Sequence, residues 1–233
     1  MWLFPHMTKV TCLHSHNFMK IMSIDTSYTT TGFVVYDDKN KKIKYGRILT
    51  PKTDKESLLD YFLRINCQKE QIMKIIQKEK PSAIIIEGAS FFMKGNTFLQ
   101  TVVYNYFLRY FIFDYYIKKG IECEIIITPP KTFKKLFLNG VAEKKEIIEK
   151  IKETGLFDFS VFKKNDIDDV CDAIMFLLVY LNNKDDMIKK SEILKIKTNS
   201  VDKNLIGFFN KEEILKFVEK KINLKNNINK KEV

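Results

Sequence analysis

Four carboxylates stand at positions where a chain can hold them rigidly. Asp25 closes the apolar run IMSID and is followed at once by the small hydroxyl residues of TSYTTTG, while Glu87 closes a second run, SAIIIEG. Asp169 and Asp172 lie near the start of NDIDDVCDAIMFLLVYL and, three residues apart, project from one helix face. Ala173, Phe176, Leu177 and Tyr180 continue near that side and turn it toward a core. Acids at a helix N-terminus complement its dipole and cap free N–H groups, which accounts for Asp166 and Asp168. Asp172 lies beyond the first turn and beside core residues, where an unpartnered carboxylate is costly to desolvate.

Four acids converging on one point repel one another unless cations lie between them. Oxygen-only donor sets of this kind suit magnesium or manganese. Two such ions can clamp a scissile phosphate and activate water for in-line attack. On this reading Asp25 ends its strand where a metal is gripped, and the Thr–Ser turn reverses the chain. The plainer alternative for a strand-ending carboxylate is a capping or turn residue.

The elements that must position these acids follow from the apolar pattern. Lys20 to Ser23 leads a strand into Asp25, Gly32 to Tyr36 makes a second, and Ile43 to Leu49 a third, with connections short enough for an antiparallel meander. Leu58, Leu59, Phe62, Ile65, Ile72, Ile75 and Ile76 recur at helical spacing between Lys55 and Lys80, and Pro81 ends that helix. Ser82 to Gly88 reads as a central strand buried on both faces. An aromatic helix over Thr97 to Tyr116 closes near Gly120, and Cys123 to Thr128 is a further strand stopped by Pro129 and Pro130. A lysine-rich helical region covers Lys131 to Glu153, and the last core helix runs from about Asp166 to Leu181. The expected fold is α/β: a mixed five-stranded sheet, three antiparallel strands followed by two that alternate with helices, flanked by helices.

Three segments are expected: an N-terminal extension over 1–19, a core over 20–182, and a lysine-rich extension over 183–233 with a helix near 211–221. The chain has 233 residues, 45% hydrophobic and 13% aromatic, which suits a globular protein with one sizeable core. Its formal net charge is +11, carried almost wholly by lysine, with Arg47, Arg64 and Arg109 as the arginines. A basic balance attracts polyanions, whereas the preference for lysine over arginine is also what A+T-rich coding produces. Cys12, Cys67, Cys123 and Cys171 lack metal-site or redox spacing, so a reducing compartment is the default. The apolar run Thr97–Tyr116 contains Gln100, Asn105, Arg109 and Asp114, which argues against a membrane span. His14 and His16 fit a solvated tail better than a metal site.

Four motifs then occur in order: IDTSYTTTG, AIIIEG followed by an aromatic pair and Asn96, PPKTFKKLFLNGVAEKKE, and DDVCDA. Together they resemble the RuvC family of Holliday-junction resolvases, within the ribonuclease H-like (retroviral integrase) superfamily, over roughly Lys20 to Asn182. The patterns matched are D-P-S/G-x-T-x-T-G, P-x-x-x-K-K, N-G-x-A-x-K and D-x-x-D-A. Thr26 stands where the first has proline, as in divergent, often phage-borne, members. The resemblance implies a ribonuclease H-like fold and metal-binding, catalytic roles for Asp25, Glu87, Asp169 and Asp172, with the D-x-x-D-A register selecting Asp169 over Asp168. It implies phosphate handling by Lys134 or Lys135 and by Lys144. Phe91 and Phe92 sit near the family's base-stacking aromatic, although Ser90 occupies the usual offset; a core contact is the alternative for both. Lys145, Lys150 and Lys152 are read as a solvated helix face.

The activity implied is a structure-selective endodeoxyribonuclease that resolves four-way DNA junctions. It would use two Mg2+ per active site, with Mn2+ as a substitute, and leave 5′-phosphate and 3′-hydroxyl ends. The partners implied are branched DNA and a second copy in a homodimer, with no membrane. The setting is the cytoplasm of a bacterial or phage-infected cell, with organellar targeting by residues 1–19 left open. Two alternatives share the fold: a nuclease for other branched DNA or RNA–DNA hybrids, and a catalytically inactive DNA-structure-binding protein. An actin-like ATP-binding reading would need glycine-rich phosphate loops, and the chain has only eight glycines.

Overall fold

The structure is a computed structural model, and it describes residues 19–50, 58–88, 96–138, 143–160, 162 and 167–196, with side chains beginning at 60 and 102 in the second and third of these stretches. Residues 1–18 of the expected N-terminal extension, the helix near 211–221, and Phe91 and Phe92 lie outside the described residues.

Three strands form the expected meander: β1 (Lys20–Asp25), β2 (Thr30–Asp37) and β3 (Lys42–Leu49). Helix α1 (Leu58–Glu79) leads to β4 (Ala83–Glu87), and α2 (Asn96–Lys119) leads to β5 (Cys123–Thr128). Then follow α3 (Pro130–Leu138), α4 (Lys144–Glu153), α5 (Ile167–Ile188) and β6 (Glu192–Ile196). The sheet has six strands in the order β3-β2-β1-β4-β5-β6 rather than the expected five. β4 runs parallel to β1, and β5 parallel to β4. The added strand, β6, pairs antiparallel with β5 and comes from the segment read as a lysine-rich extension.

Alternation along the strands sorts the core into two layers. Ile21, Val34, Ile85 and Ile126 face α3, α4 and α5, whereas Met22, Ile24, Val35, Ile84 and Ile86 face α1 and α2. β4 contributes to both layers and is buried along Ala83 to Ile86, as a central parallel strand requires. α2 closes with Gly120 at φ 61°, its N–H on the Ile117 carbonyl and the Ile121 N–H on that of Tyr116, a Schellman arrangement. Pro130 occupies the first position of α3, where its missing N–H would be unpaired in any case.

The lysine-rich helical region comprises two helices. α3 ends at Leu138 and α4 begins after Glu143, whose N–H donates to the Glu146 carboxylate at 3.1 Å. The last core helix extends to Ile188 but kinks at Asn183, where φ −134° and ψ 37° are not helical. Among the described residues no helix is long and apolar enough to cross a membrane.

Candidate active site

β1 and β4 are neighbours and run parallel, with Ile24 paired to Ile86, so Asp25 and Glu87 emerge side by side at the same edge of the sheet. Such carboxyl ends are where open α/β sheets place their sites. α5 lies across β1 and β2 and brings Asp169 and Asp172 to that edge. Two contacts seat the helix there. The buried Ser23 hydroxyl, two residues before Asp25, donates to the Ala173 carbonyl at 2.7 Å. Gly32, the β2 partner of Asp25, faces the Asp169 backbone so closely that a Cβ would meet its carbonyl oxygen at 1.9 Å.

The turn after Asp25 is held by buried polar groups. Thr31 donates to Gln68 Oε1 at 2.5 Å and shares a 3.0 Å hydrogen bond with the Tyr104 hydroxyl. Gln68 Nε2 donates to the carbonyls of Ser27 and Tyr28, both at 3.1 Å. Thus α1 and α2 fix the hydroxyl-rich segment from beneath.

The carboxyls act strongly on one another. Burial is the main reason that the Asp25 carboxyl is held well above its usual range, and Glu87, Asp172 and Asp169 add to it. Glu87 is pushed up to about 7, by burial first and then by Asp172, against the opposing fields of Lys134 and Lys144; it also hydrogen-bonds Asp25. Asp172 is raised to about 6 by burial, again opposed by Lys144 and Lys134. Buried acids crowded together resist ionisation.

Lys144 stands 3.4 Å from Asp168 and 3.8 Å from Asp172. Burial alone would lower its pKa, but Asp172, Asp168 and Asp169 together hold it above the usual value. A cation in the first turn of a helix opposes the dipole; these carboxylates are what make Lys144 favourable there.

Among the described residues no three His, Cys, Asp or Glu side chains close into a group able to hold a metal ion as they stand. Asp25, Glu87, Asp169 and Asp172 lie in one another's field without forming a cage. Their donor chemistry nevertheless fits a hard divalent cation. The set is oxygen-only and acidic, and it is partly desolvated, with Lys134 and Lys144 opposing its charge.

No family model matches the sequence, and no curated protein does. Solved structures do match. Thermus thermophilus RuvC in complex with a Holliday junction substrate is similar at a TM-score of 0.53 and 16% identity, over 76% of this chain and 99% of that one. A second Thermus thermophilus RuvC structure is similar at 0.52 and 14% identity, over 76% and 100%. The chain has the RuvC fold.

On this RuvC-like scaffold the other expected residues divide. Lys134, in α3, acts electrostatically on both Glu87 and Asp172. Lys135, in the last turn of the same helix, is exposed. Lys145 pairs with Glu149 at 3.8 Å on a largely exposed face. Sequence reasoning passed over Ser23, Gln68, Asn105 and Arg109, all of which bear on the site or its turn. The signal was there for two of them. Asn105 and Arg109 are polar interruptions four apart on the most aromatic helix.

Proposed function

We propose that this protein is a divergent RuvC-like, metal-dependent endodeoxyribonuclease that hydrolyses phosphodiesters in four-way DNA junctions. Its sphere would be DNA recombination and repair. The observation that carries the reading is the meeting of Asp25 and Glu87, on adjacent parallel strand ends, with Asp169 and Asp172 from the helix packed across them. Held by these four carboxylates, Mg2+ or Mn2+ would supply Lewis-acid activation of water and neutralise charge on the scissile phosphate.

The chain's own groups have definable tasks. Asp25 and Glu87, on rigid strand ends, fix the donor positions, while Asp169 and Asp172 approach from α5. Lys134 and Lys144 lie close enough to act on the same carboxyls and would meet a phosphate bound there. Hydrolysis on this scaffold leaves a 5′-phosphate and a 3′-hydroxyl. The formal net charge of +11 supports DNA as the partner and implies affinity that falls steeply with salt. Symmetric cutting of a junction needs two active sites, so a two-fold homodimer belongs to the reading. The exposed Phe62, Leu63, Tyr106, Phe107 and Tyr110 of α1 and α2 are a fitting surface for the second copy.

The test is cleavage of a labelled synthetic four-way junction beside matched duplex, flap and RNA–DNA hybrid, with Mg2+ or Mn2+. Paired symmetric nicks that disappear in Asp25→Asn and Asp169→Asn are expected. Cutting of another substrate would keep the site and change the partner. Tight junction binding with no cutting under either metal would leave a DNA-structure-binding protein.

A further inference from the structure

The parallel ladder between β1 and β4 ends at Ile24–Ile86, one residue short of both Asp25 and Glu87. Beyond that point, apart from the hydrogen bond between the two carboxyls themselves, a side chain of α2 ties the two strand ends together. Asn105 Nδ2 donates to Thr26 Oγ1 at 2.6 Å and to the Glu87 carbonyl oxygen at 2.9 Å. Arg109, one turn further along, donates from Nη2 to the same carbonyl at 3.3 Å. Asn105 is 2% exposed, Thr26 5% and Arg109 9%. One amide thus ties the residue after Asp25 to Glu87 itself.

The arrangement is unfavourable for packing alone. Among the described residues, Asn105 Oδ1 and Arg109 Nε are buried without a hydrogen-bond partner. Apolar side chains of similar shape would avoid that penalty. Thr26 is also where the chain departs from the D-P-S/G pattern, and a proline there would offer no hydroxyl to the amide. The brace therefore belongs to this sequence.

We propose that Asn105, assisted by Arg109, is a positioning residue that sets the separation of the Asp25 and Glu87 carboxyls through Thr26 and the Glu87 backbone. This rests on the reading of the site as a metal-dependent nuclease centre. The group itself touches neither metal nor substrate. It acts by restricting where the two carboxyls can be when a cation arrives, as outer-shell partners of metal ligands do.

The test uses the full chain and four variants: Asn105→Leu, Thr26→Val, Thr26→Ser and the double variant Asn105→Leu/Thr26→Val. Mn2+ affinity is measured by calorimetric titration, with the thermal midpoint in chelator and junction cleavage alongside. Asn105→Leu and Thr26→Val should each weaken Mn2+ binding about tenfold. Thr26→Ser, which keeps the hydroxyl, should stay near the parent, and the double variant should be no worse than Asn105→Leu. That non-additivity separates a shared brace from general loosening. Parent-like Mn2+ affinity in a folded Thr26→Val overturns the proposal, even if Asn105→Leu fails to fold. A parent chain that binds and cleaves while the variants remain parent-like sinks this inference alone. A parent chain that binds no Mn2+ overturns the nuclease reading and this inference together.

Discussion

Gly32 and Asp169 meet backbone to backbone: a Cβ on Gly32 would lie 1.9 Å from the Asp169 carbonyl oxygen and 2.6 Å from its carbonyl carbon. The first turn of α5 therefore rests directly on β2, beside the strand position that pairs with Asp25. Only a residue without a side chain permits this approach, and the approach places Asp169 and Asp172 over the strand ends.

Gly32→Ala should accordingly lift α5 from the sheet. Overpacking against backbone is expected to destabilise by on the order of 2–3 kcal/mol in urea unfolding. Mn2+ affinity should fall as well. Gly120→Ala is the control. Gly120 has φ 61° with open space around it, so strain costs about 1 kcal/mol and metal binding stays unchanged. Equal metal affinity in both variants would show that the close approach does not govern the site.

Asp25→Asn should make the metal-free chain more stable at neutral pH while removing cleavage. In the folded chain the Asp25 carboxyl is raised by burial and by Glu87, Asp172 and Asp169. An acid whose folded pKa exceeds its unfolded one holds its proton longer when folded, so rising pH favours the unfolded chain. With Glu87 near 7 and Asp172 near 6, parent stability should decline from about pH 4 to about pH 7. The asparagine variant should decline less, with a gain at pH 7 that disappears below pH 4. Chelator-treated protein unfolded in urea across that range measures it.

Glu79 offers the opposite slope on the same molecule. Its carboxylate pairs with Lys44 at 2.7 Å and Lys20 at 3.5 Å, tying the end of α1 to β1 and β3. The Lys44 hydrogen bond is the main cause of its lowered pKa. Stability from such a group is present above the unfolded pKa and is lost as pH falls through the folded one. Glu79→Gln should cost about 1 kcal/mol at pH 7, less in high salt, and nothing in acid below its folded pKa. A loss independent of pH would assign the residue to packing instead.

The contrast between these two acids shows what could be read beforehand. Asp25 and Glu87 each close a mainly apolar run, so the existence of their strands followed from pattern. β6 did not, because Glu192 and Lys195 charge a short strand that is only partly buried. The gap between α3 and α4 was hidden by lysines on both sides of it. Gln68 was unreadable for another reason. It lies on a buried helix face, and its value comes from backbone carbonyls brought near by the tertiary fold. Such acceptors leave no mark in a sequence.

Lys144 joins the electrostatics to the chemistry, because its ammonium is already beside Asp168 and Asp172. A fixed cation there eases the carboxylates' repulsion but competes with a divalent ion for the same field. Lys144→Gln should therefore move two measurements in opposite directions. Removing the competitor should tighten Mn2+ binding several-fold in calorimetric titration, since Asp172 loses its 3.8 Å partner. Junction cleavage at saturating Mn2+ should nevertheless fall, because a scissile phosphate then lacks the cation next to it. Lys145→Gln, on the exposed face with Glu149, should change neither. If Lys144→Gln weakened metal binding, the lysine would be ordering the carboxylates rather than competing at them. The drop in cleavage would then follow from metal loss alone.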